Sequence, residues 1–418
     1  MPAPGARAER SRVKLTPDAR SILAVQAVRA FVYGLGSVLI GVSLAHADLS
    51  STEVGVVLGG LLAGAALTSV LLGRYGDQLG RRRAYRLLLI VMALAGTVFA
   101  LTSWLPALLV AGLTGTISTD VVESGPFTSL EQAMLPHAAP PGQATRLFGT
   151  YNTIATLAGS LGALTATLPT LAHHVTASAP SPQRWLLAYP IAAALAAPFA
   201  AHLSANVESA VEGQPGRRPL DRSRGIVHKM AALFALDSFG GGFVIQAFIA
   251  YWFTRRFHTS PEFLGTLFFA IGLLQAASFQ IAVRLASRIG LLNTMVFTHL
   301  PSNLLLAAIA FAPNLPVAVA LLLGRFALSQ MDVPPRQAYV VAVVTPDERT
   351  AAAAYTNSAR YAVRPIAPLI AGALLQNAFL GAPFLIGGAI KTAYDAGFYL
   401  LFRHVPVDSP RSHQEDDA

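Results

Sequence analysis

The distribution of apolar residues along the chain is the strongest constraint on its fold. The 418 residues contain apolar segments of about 20 residues or more, the length that a helix needs to cross a bilayer. Only 12% of the residues are charged, about half the share in soluble proteins. The pattern predicts an all-α polytopic membrane protein with twelve transmembrane helices. The predicted spans, numbered 1 to 12, lie at about 22–44, 53–73, 86–104, 106–134, 147–170, 184–204, 229–254, 263–284, 291–312, 315–343, 351–378 and 380–402.

The polar segments around these spans predict the domain organisation. A signal peptide would have a short apolar core and a cleavage site of small residues soon after it, so we interpret the first apolar segment as a retained span. We expect an N-terminal tail at 1–20, a six-helix bundle at 21–204, a linker at 205–228, a second six-helix bundle at 229–402 and a C-terminal tail at 403–418.

The basic residues predict the orientation, because Lys and Arg are retained on the cytoplasmic side. If the N-terminus is inside, most of the 30 Lys and Arg residues fall in cytoplasmic segments, and the opposite side holds Arg184, Arg255 and Arg256. We therefore expect a protein of the inner (plasma) membrane with both termini and the linker in the cytoplasm. Topology and attraction to anionic lipid explain the net charge of +9, and we expect no nucleic-acid partner.

The two halves of the chain have the character of a repeat. Val122-Glu123-Ser124-Gly125-Pro126 in span 4 corresponds to Met331-Asp332-Val333-Pro334-Pro335 in span 10, which places an acid over an acid and a proline over a proline. Parallel six-span repeats form two bundles that face each other across a central cavity. Gly125-Pro126 and Pro334-Pro335 should also bend spans 4 and 10 near their middles.

The loop between spans 2 and 3 carries a motif, Gly73-Arg74-Tyr75-Gly76-Asp77-Gln78-Leu79-Gly80-Arg81-Arg82-Arg83. It has a glycine, an aspartate four residues later, a glycine three residues after that, and then basic residues. In this it resembles the cytoplasmic loop signature of the major facilitator superfamily. The resemblance covers essentially the whole chain and implies two pseudo-symmetric six-helix bundles that transport by alternating access.

The resemblance also implies roles for the loop. In the family, the aspartate binds the positive N-terminal end of span 11 and locks the outward-open form; here that partner would lie near Thr350–Ala351. Ser287 stands in the place of Asp77 in the second half, so we expect the lock on one side only. Alternatively, the arginines are merely topological anchors. The residues of the expected lock are Gly73, Asp77, Gly80, Arg81 and Arg82.

Ionisable residues inside the spans are the candidate functional residues, because each costs about 2.5–3.5 kcal/mol at a span centre. Most of them lie on spans 1, 4, 7 and 10, which line the cavity in the resembled family. Acids and bases are equally numerous, so the charge of the solute is left open. They are Arg29, Asp120, Glu123, Glu131, Asp237, Arg325, Asp332, Arg336, Arg360, Arg364, Lys391 and Asp395.

Four of these are candidates for proton coupling or gating: Asp120, Glu123, Asp332 and Arg336. Asp120 and Glu123 are three residues apart and share a helix face, and a buried acid can carry a proton. The alternative is a static buried pair of the Glu123–Arg336 type.

Five others are candidates for substrate binding, although each could instead pair with a buried charge of the opposite sign: Arg29, Asp237, Arg325, Arg360 and Arg364. We expect Lys391 and Asp395 to form a structural i,i+4 pair on span 12. Glu131 is expected near the cytoplasmic end of span 4, either as a gate residue or as an interfacial anchor.

Missing motifs exclude other chemistries. The chain has no cysteine, and it has no phosphate loop, no H-E-x-x-H pair and no serine nucleophile elbow. We therefore expect no enzyme activity, no cofactor and no metal site. Drug/proton antiporters of the resembled family carry a glycine- and proline-rich signature in span 5, whereas span 5 here has no proline before Pro169. This difference and the charged spans favour a polar solute.

The sequence thus predicts a monomeric secondary active transporter in the lipid bilayer. It would move a small polar solute by alternating access, coupled to protons, with export favoured over import. The alternatives are a proton-linked uptake symporter for a small organic anion, contacted by Arg29, Arg325 and Arg360, and, more distantly, a membrane scaffold or membrane enzyme.

Overall fold

The structure, a computed structural model, describes residues 15–119, 125–138, 144–176, 178–208, 220, 222–345 and 348–405. All of the regular secondary structure in these residues is helical. The α-helices are α1 (Pro17–His46), α2 (Ser51–Leu79), α3 (Arg81–Leu101), α4 (Leu105–Leu113), α5 (Pro126–Ala138), α6 (Ala144–Thr165), α7 (Leu168–Val175), α8 (Ala188–Ala201), α9 (Arg224–Gly242), α10 (Gln246–Phe257), α11 (Pro261–Ile289), α12 (Leu291–Ile309), α13 (Leu315–Ser329), α14 (Val333–Ala342), α15 (Arg349–Val363), α16 (Ile366–Asn377) and α17 (Ala382–Phe402).

These helices correspond to the twelve predicted spans. Nine helical stretches in the described part of the chain are long and apolar enough to cross a membrane. The remaining helices, α4 with α5, α15 with α16, and α17, lie at the positions of the other three predicted spans. Spans 1, 2, 3, 8, 9 and 12 are single helices, and spans 4, 5, 7, 10 and 11 are each divided between two α-helices.

The predicted bends in spans 4 and 10 are confirmed, and both are breaks between helices. Helix α5 begins at Pro126, and α14 has Pro334 and Pro335 in its first turn. A proline is tolerated there because the first N–H groups of a helix have no partner within it. Spans 5, 7 and 11 are also divided, at 166–167, 243–245 and 364–365, and these three breaks were not predicted from the sequence.

The internal repeat is visible at the starts of equivalent helices. Ser50 precedes α2, and its side chain accepts a hydrogen bond from the backbone of Glu53, which closes a capping box. Ser260 precedes the equivalent helix α11 and accepts in the same way from Phe263. Each serine satisfies an N–H group that the helix itself cannot satisfy.

The two halves meet mainly at one end of the molecule, here called the distal end, which carries the turns 47–50 and 258–260. Thr52 donates its hydroxyl to Gln376 Oε1 at 2.6 Å, and the hydroxyls of Ser51 and Tyr251 are 3.1 Å apart. Glycines allow the backbones to approach, since a Cβ on Gly55 would lie 2.9 Å from Gly372 Cα. The structure is therefore closed at the distal end.

The opposite end carries the arginine-rich turn at 79–83 and is called the basic end. Its described hydrogen bonds join elements of the same half. Asp18 accepts from the backbone and hydroxyl of Ser204 at 2.8 and 2.6 Å. Glu348 accepts from the backbone of Arg222 and Ser223 at 3.0 and 2.9 Å. These contacts strengthen each half separately.

Candidate functional site

The first half contains a closed polar cluster around Glu131. This carboxylate, on α5, accepts from Arg29 Nη2 at 2.5 Å, from Tyr85 at 2.6 Å and from Tyr151 at 2.5 Å. The Arg29 guanidinium also binds Gln26. Glu131 is 0% and Arg29 3% exposed. The cluster joins spans 1, 3, 4 and 5 through the hydrogen bonds of Glu131, and its ion pair with Arg29 is buried.

Aromatic rings complete the environment of Arg29. Its Cζ lies 5.2 Å from the ring centre of Tyr33 and 5.0 Å from that of Phe127, distances at which a cation is attracted to the ring. Glu131 was expected as a gate residue or an interfacial anchor, and its side chain is completely buried among other side chains. The pattern of the sequence did not reveal its two tyrosine partners.

The second half contains a larger charged cluster around Asp237 on α9. One carboxylate oxygen binds Lys391 of α17, and the other lies 3.4 Å from Arg336 Nη1 of α14. Arg336 Nη1 is also 3.0 Å from Asp332 Oδ2, an ion pair without the alignment of a hydrogen bond. Asp237, Asp332, Arg336 and Lys391 are all buried.

His299 on α12 extends this cluster to Asp395 of α17. Its Nδ1 lies 2.8 Å from Asp395 Oδ1, and its Nε2 lies 3.8 Å from Asp237 Oδ1. Asn303 donates to Asp395 Oδ2 at 2.8 Å. His299 was not among the residues predicted from the sequence, because an isolated histidine gives no pattern. The signal that could have found it is the spacing of His299 and Asn303, one helical turn apart in an apolar span.

The expected pair between Lys391 and Asp395 is wrong. Lys391 binds Asp237, and Asp395 binds His299 and Asn303. The i,i+4 spacing places both residues on one face of α17, but each finds a partner on a neighbouring helix that lies closer than the other member of the expected pair.

Arg325, on α13, is buried without a described ion-pair partner. It is 7% exposed, and its Nε and Nη1 atoms have no hydrogen-bond acceptor among the described residues. Its guanidinium carbon lies 4.4 Å from the ring centre of Phe326. Ser329, one turn later on the same helix face, is also buried, and its hydroxyl has no hydrogen-bond partner among the described residues. Together they offer hydrogen-bond donors suited to an anionic or polar group.

Between the halves lies a cavity of about 30 Å³ lined by α2, the segment 117–119 and α15. Ser69, Thr119, Tyr361 and Arg364 supply its polar atoms. Arg360 of α15 precedes Arg364, which directly follows the helix, by four residues, and both arginines are half-buried. The arrangement places two positive side chains of span 11 close to where the halves meet.

The arginines of the loop motif bind within the first half. Arg81 donates to the carbonyls of Ala133 and Val207 at 3.2 and 3.3 Å. Arg82 donates to Glu208 at 2.8 Å, and this hydrogen bond with its guanidinium lowers the pKa of the Glu208 carboxyl. Gly80 has a φ of 83°, which glycine adopts without strain. Gly73 lies in the last part of α2.

Three of the predicted residues lie outside the described part of the chain: Asp120, Glu123 and the side chain of Asp77. Of the remaining candidates, the structure brings Asp237, Asp332 and Arg336 together in one cluster. It places Arg29 in the separate cluster of the first half.

The model of the Major Facilitator Superfamily matches residues 22–168 and 230–417. The chain belongs to the major facilitator superfamily. The first matched segment covers nearly all of predicted spans 1 to 5, and the second covers nearly all of predicted spans 7 to 12. Membership identifies a multi-pass membrane transporter rather than an enzyme, and it confirms the family that the loop motif indicated.

Relatives and solved structures are similar over nearly the whole length. An uncharacterized membrane protein of Saccharomyces cerevisiae is 26% identical over 420 residues, which cover 92% of this chain and 94% of the yeast protein. The nucleoside transporter NupG has a similar structure, with a TM-score of 0.70 at 15% identity over 93% of this chain and 99% of NupG. The inward-open xylose transporter XylE from E. coli has a TM-score of 0.69 at 15% identity over 96% of this chain and 99% of XylE. At such identity these structures show the shared fold.

Proposed function

We propose that this major facilitator protein is a proton-coupled secondary active transporter that moves a small polar solute outward across the membrane. The observation that carries the proposal is the buried charged cluster of the second half. Three carboxylates, an arginine, a lysine and a histidine lie inside a membrane protein, where each charge is costly. Such groups are typical of proton and solute pathways.

The proposed division of roles follows the geometry. Arg336 lies within ion-pair distance of both Asp237 and Asp332, so a change in the charge of one carboxylate alters the ion pair of the other. We propose that these residues, with Asp120 and Glu123 of span 4, couple proton movement to gating. Arg325, Arg360 and Arg364 face a polar solute, with Asp237 as an acidic contact. Arg29 is the weakest substrate candidate, because Glu131 already neutralises it.

The orientation is proposed from the basic residues. With the basic end in the cytoplasm, the described form is closed toward the outside. Asp77, with Gly73, Gly80, Arg81 and Arg82, would then lock the opposite form, at the end where Arg82 already joins α3 to Glu208. We propose a monomer in the plasma membrane, with both termini in the cytoplasm.

A second candidate is uptake of a small organic anion together with protons. It is favoured by Arg325, a buried cation without a described carboxylate partner, since an anionic solute would supply the missing acceptor. One protein of this fold is described as a D-xylose-proton symporter, so the fold is compatible with proton-linked uptake.

Transport in proteoliposomes with an internal pH-sensitive dye tests both candidates. Nucleosides, pentoses, amino acids and small carboxylates are offered singly, with an imposed pH gradient of either sign. We expect one class to move with protons, and the favoured gradient distinguishes export from uptake. Asp332→Asn, Asp120→Asn and Glu123→Gln should reduce proton movement, while Asp48→Asn, in an exposed turn, should not. Solute flux that carries no protons, and that none of these variants alters, would refute the coupling.

A further inference from the structure

The ring of His299 lies between two carboxylates that belong to different helices. Asp395 of α17 is 2.8 Å from Nδ1, and Asp237 of α9 is 3.8 Å from Nε2. A neutral imidazole has one N–H donor and one acceptor nitrogen, whereas the protonated ring donates from both. Only the protonated ring therefore presents a donor to each carboxylate.

The neutral ring can also be held in place, because the side chain of Asn303 offers a hydrogen-bond donor to the Nδ1 atom of the ring. Asn303 Nδ2 lies 3.1 Å from His299 Nδ1 and 2.8 Å from Asp395 Oδ2, and its Oδ1 has no described partner. The amide can thus donate to an unprotonated Nδ1, and the proton can then reside on Asp395 or leave. Hydrogen bonds are available with the proton present and with the proton absent.

The charges around the ring give the extra proton a role. The ion pairs around the ring connect three carboxylates and two permanent cations. The carboxylates are those of Asp237, Asp332 and Asp395, and the cations are Arg336 and Lys391. A proton on His299 balances this set. Glu262, Arg284 and Arg288 of the neighbouring helix α11 form no described ion pair with the ring. The charged or titratable residues on the other neighbouring helices are Asp237 of α9, Arg325 of α13, Asp332 and Arg336 of α14, and Lys391, Tyr394 and Asp395 of α17.

Asp237 connects the ring to the interface between the halves. It shares its oxygens among His299, Lys391 and Arg336, and it lies five residues before the end of α9. The other part of span 7, α10, packs against the first half, where Gly41 lies against Ala247. Protonation of His299 places a third cation beside Asp237. It thereby changes the strength of the ion pairs that Lys391 and Arg336 form with this residue of span 7.

From this geometry we infer that His299, paired with Asp395 and Asp237, binds the proton that drives the transport cycle. The proton forms an N–H bond on the neutral ring when the site is open to one side. It is released to the solvent on the other side, while Asn303 holds the neutral ring. This inference rests on the proposed proton coupling, and it places the proton site between spans 7, 9 and 12, away from the acids of span 4.

The test measures conformation rather than flux, so it needs no knowledge of the solute. Because the chain has no cysteine, two can be introduced in exposed positions on either side of the distal end, as Asp48→Cys and Asn377→Cys, and spin-labelled at one fixed pH. Distances between the labels are then measured in lipid vesicles between about pH 5 and pH 8, the range in which histidine changes charge. We expect the population with an open distal end to change by about fivefold or more.

Two variants and one control assign that change. His299→Gln should reduce the pH-dependent change to less than about twofold, and Asp395→Asn should move its midpoint by about one pH unit or more, since each partner charge contributes shifts of this size. His202→Gln, which alters an exposed histidine outside the cluster, should leave the response intact. Either cluster variant suffices if the other does not fold.

The outcomes are distinct. A labelled parent protein whose distances do not change with pH refutes the inference, and so does a full pH response that persists in His299→Gln or an unmoved midpoint in Asp395→Asn. If solute flux is proton-coupled in the liposome assay while the spin-label test fails, the proposed function stands and the proton binds elsewhere.

Discussion

Replacement of Glu131 by glutamine should destabilise the first half strongly. The carboxylate is fully buried, forms an ion pair with Arg29 and accepts from Tyr85 and Tyr151. Breaking a buried ion pair by removing one partner costs about 3–5 kcal/mol, because the remaining charge is left uncompensated. At about 2–4 °C per kcal/mol, the midpoint of thermal unfolding in detergent should fall by about 6–20 °C.

Three comparisons test this reasoning. Tyr151→Phe removes one of the three hydrogen bonds and should cost only about 1 kcal/mol. The double variant Arg29→Gln/Glu131→Gln leaves no unpaired charge, so it should recover at least half of the loss. Glu262→Gln, at the start of α11, is the control and should have little effect. A single variant within about 2 °C of the parent, or a double variant less stable than the single one, would refute a structural ion pair.

Three further predictions concern the two ends of the molecule. Thr52→Cys/Gln376→Cys, whose parent side chains are in contact, should form a disulfide under oxidation and stop transport, and reductant should restore it; unimpaired flux in the cross-linked protein would contradict closure at this end. Gly372→Val should disfavour the closed distal end, because a Cβ there would meet the backbone of Ser51 and Gly55, and labelling of a cysteine at position 52 should become faster. Arg82 lowers the pKa of Glu208, so their contact stabilises the fold above about pH 4, and this stabilisation is lost as the pH falls. Because both side chains are partly exposed, the contribution to the free energy of unfolding is about 0.2–1 kcal/mol. Glu208→Gln should flatten this part of the curve of stability against pH.

The helices could be predicted from the sequence because the bilayer imposes a length and a polarity on each span. Pro126 and Pro334 marked two breaks in advance, since proline removes a backbone donor wherever it occurs. The break after Gly242 was missed, because glycines within apolar spans are common and most of them serve close packing. A residue type therefore predicted a helix break where its effect comes from the backbone itself, as it does for proline.

The partners of the buried charges could not be predicted in the same way. Lys391 and Asp395 have the spacing of a helical pair, yet each binds a residue on another helix. Those choices depend on the rotation and depth of neighbouring helices, which a single sequence does not encode in any short pattern. His299 escaped notice for the same reason, since its importance comes from carboxylates 62 residues before it and 96 residues after it.

The glycine contacts at the distal end set a limit on how the protein can be driven. Small residues such as Gly55 and Gly372 bring the two backbones together, and apolar side chains of both halves pack around them in one buried core. A ligand must favour one state by about 5.5 kcal/mol to move a two-state population from one extreme to the other. Opening the distal end would therefore expose apolar side chains as well as the two backbones, so the bound proton and the solute together must supply a difference in binding free energy of this order between the two states.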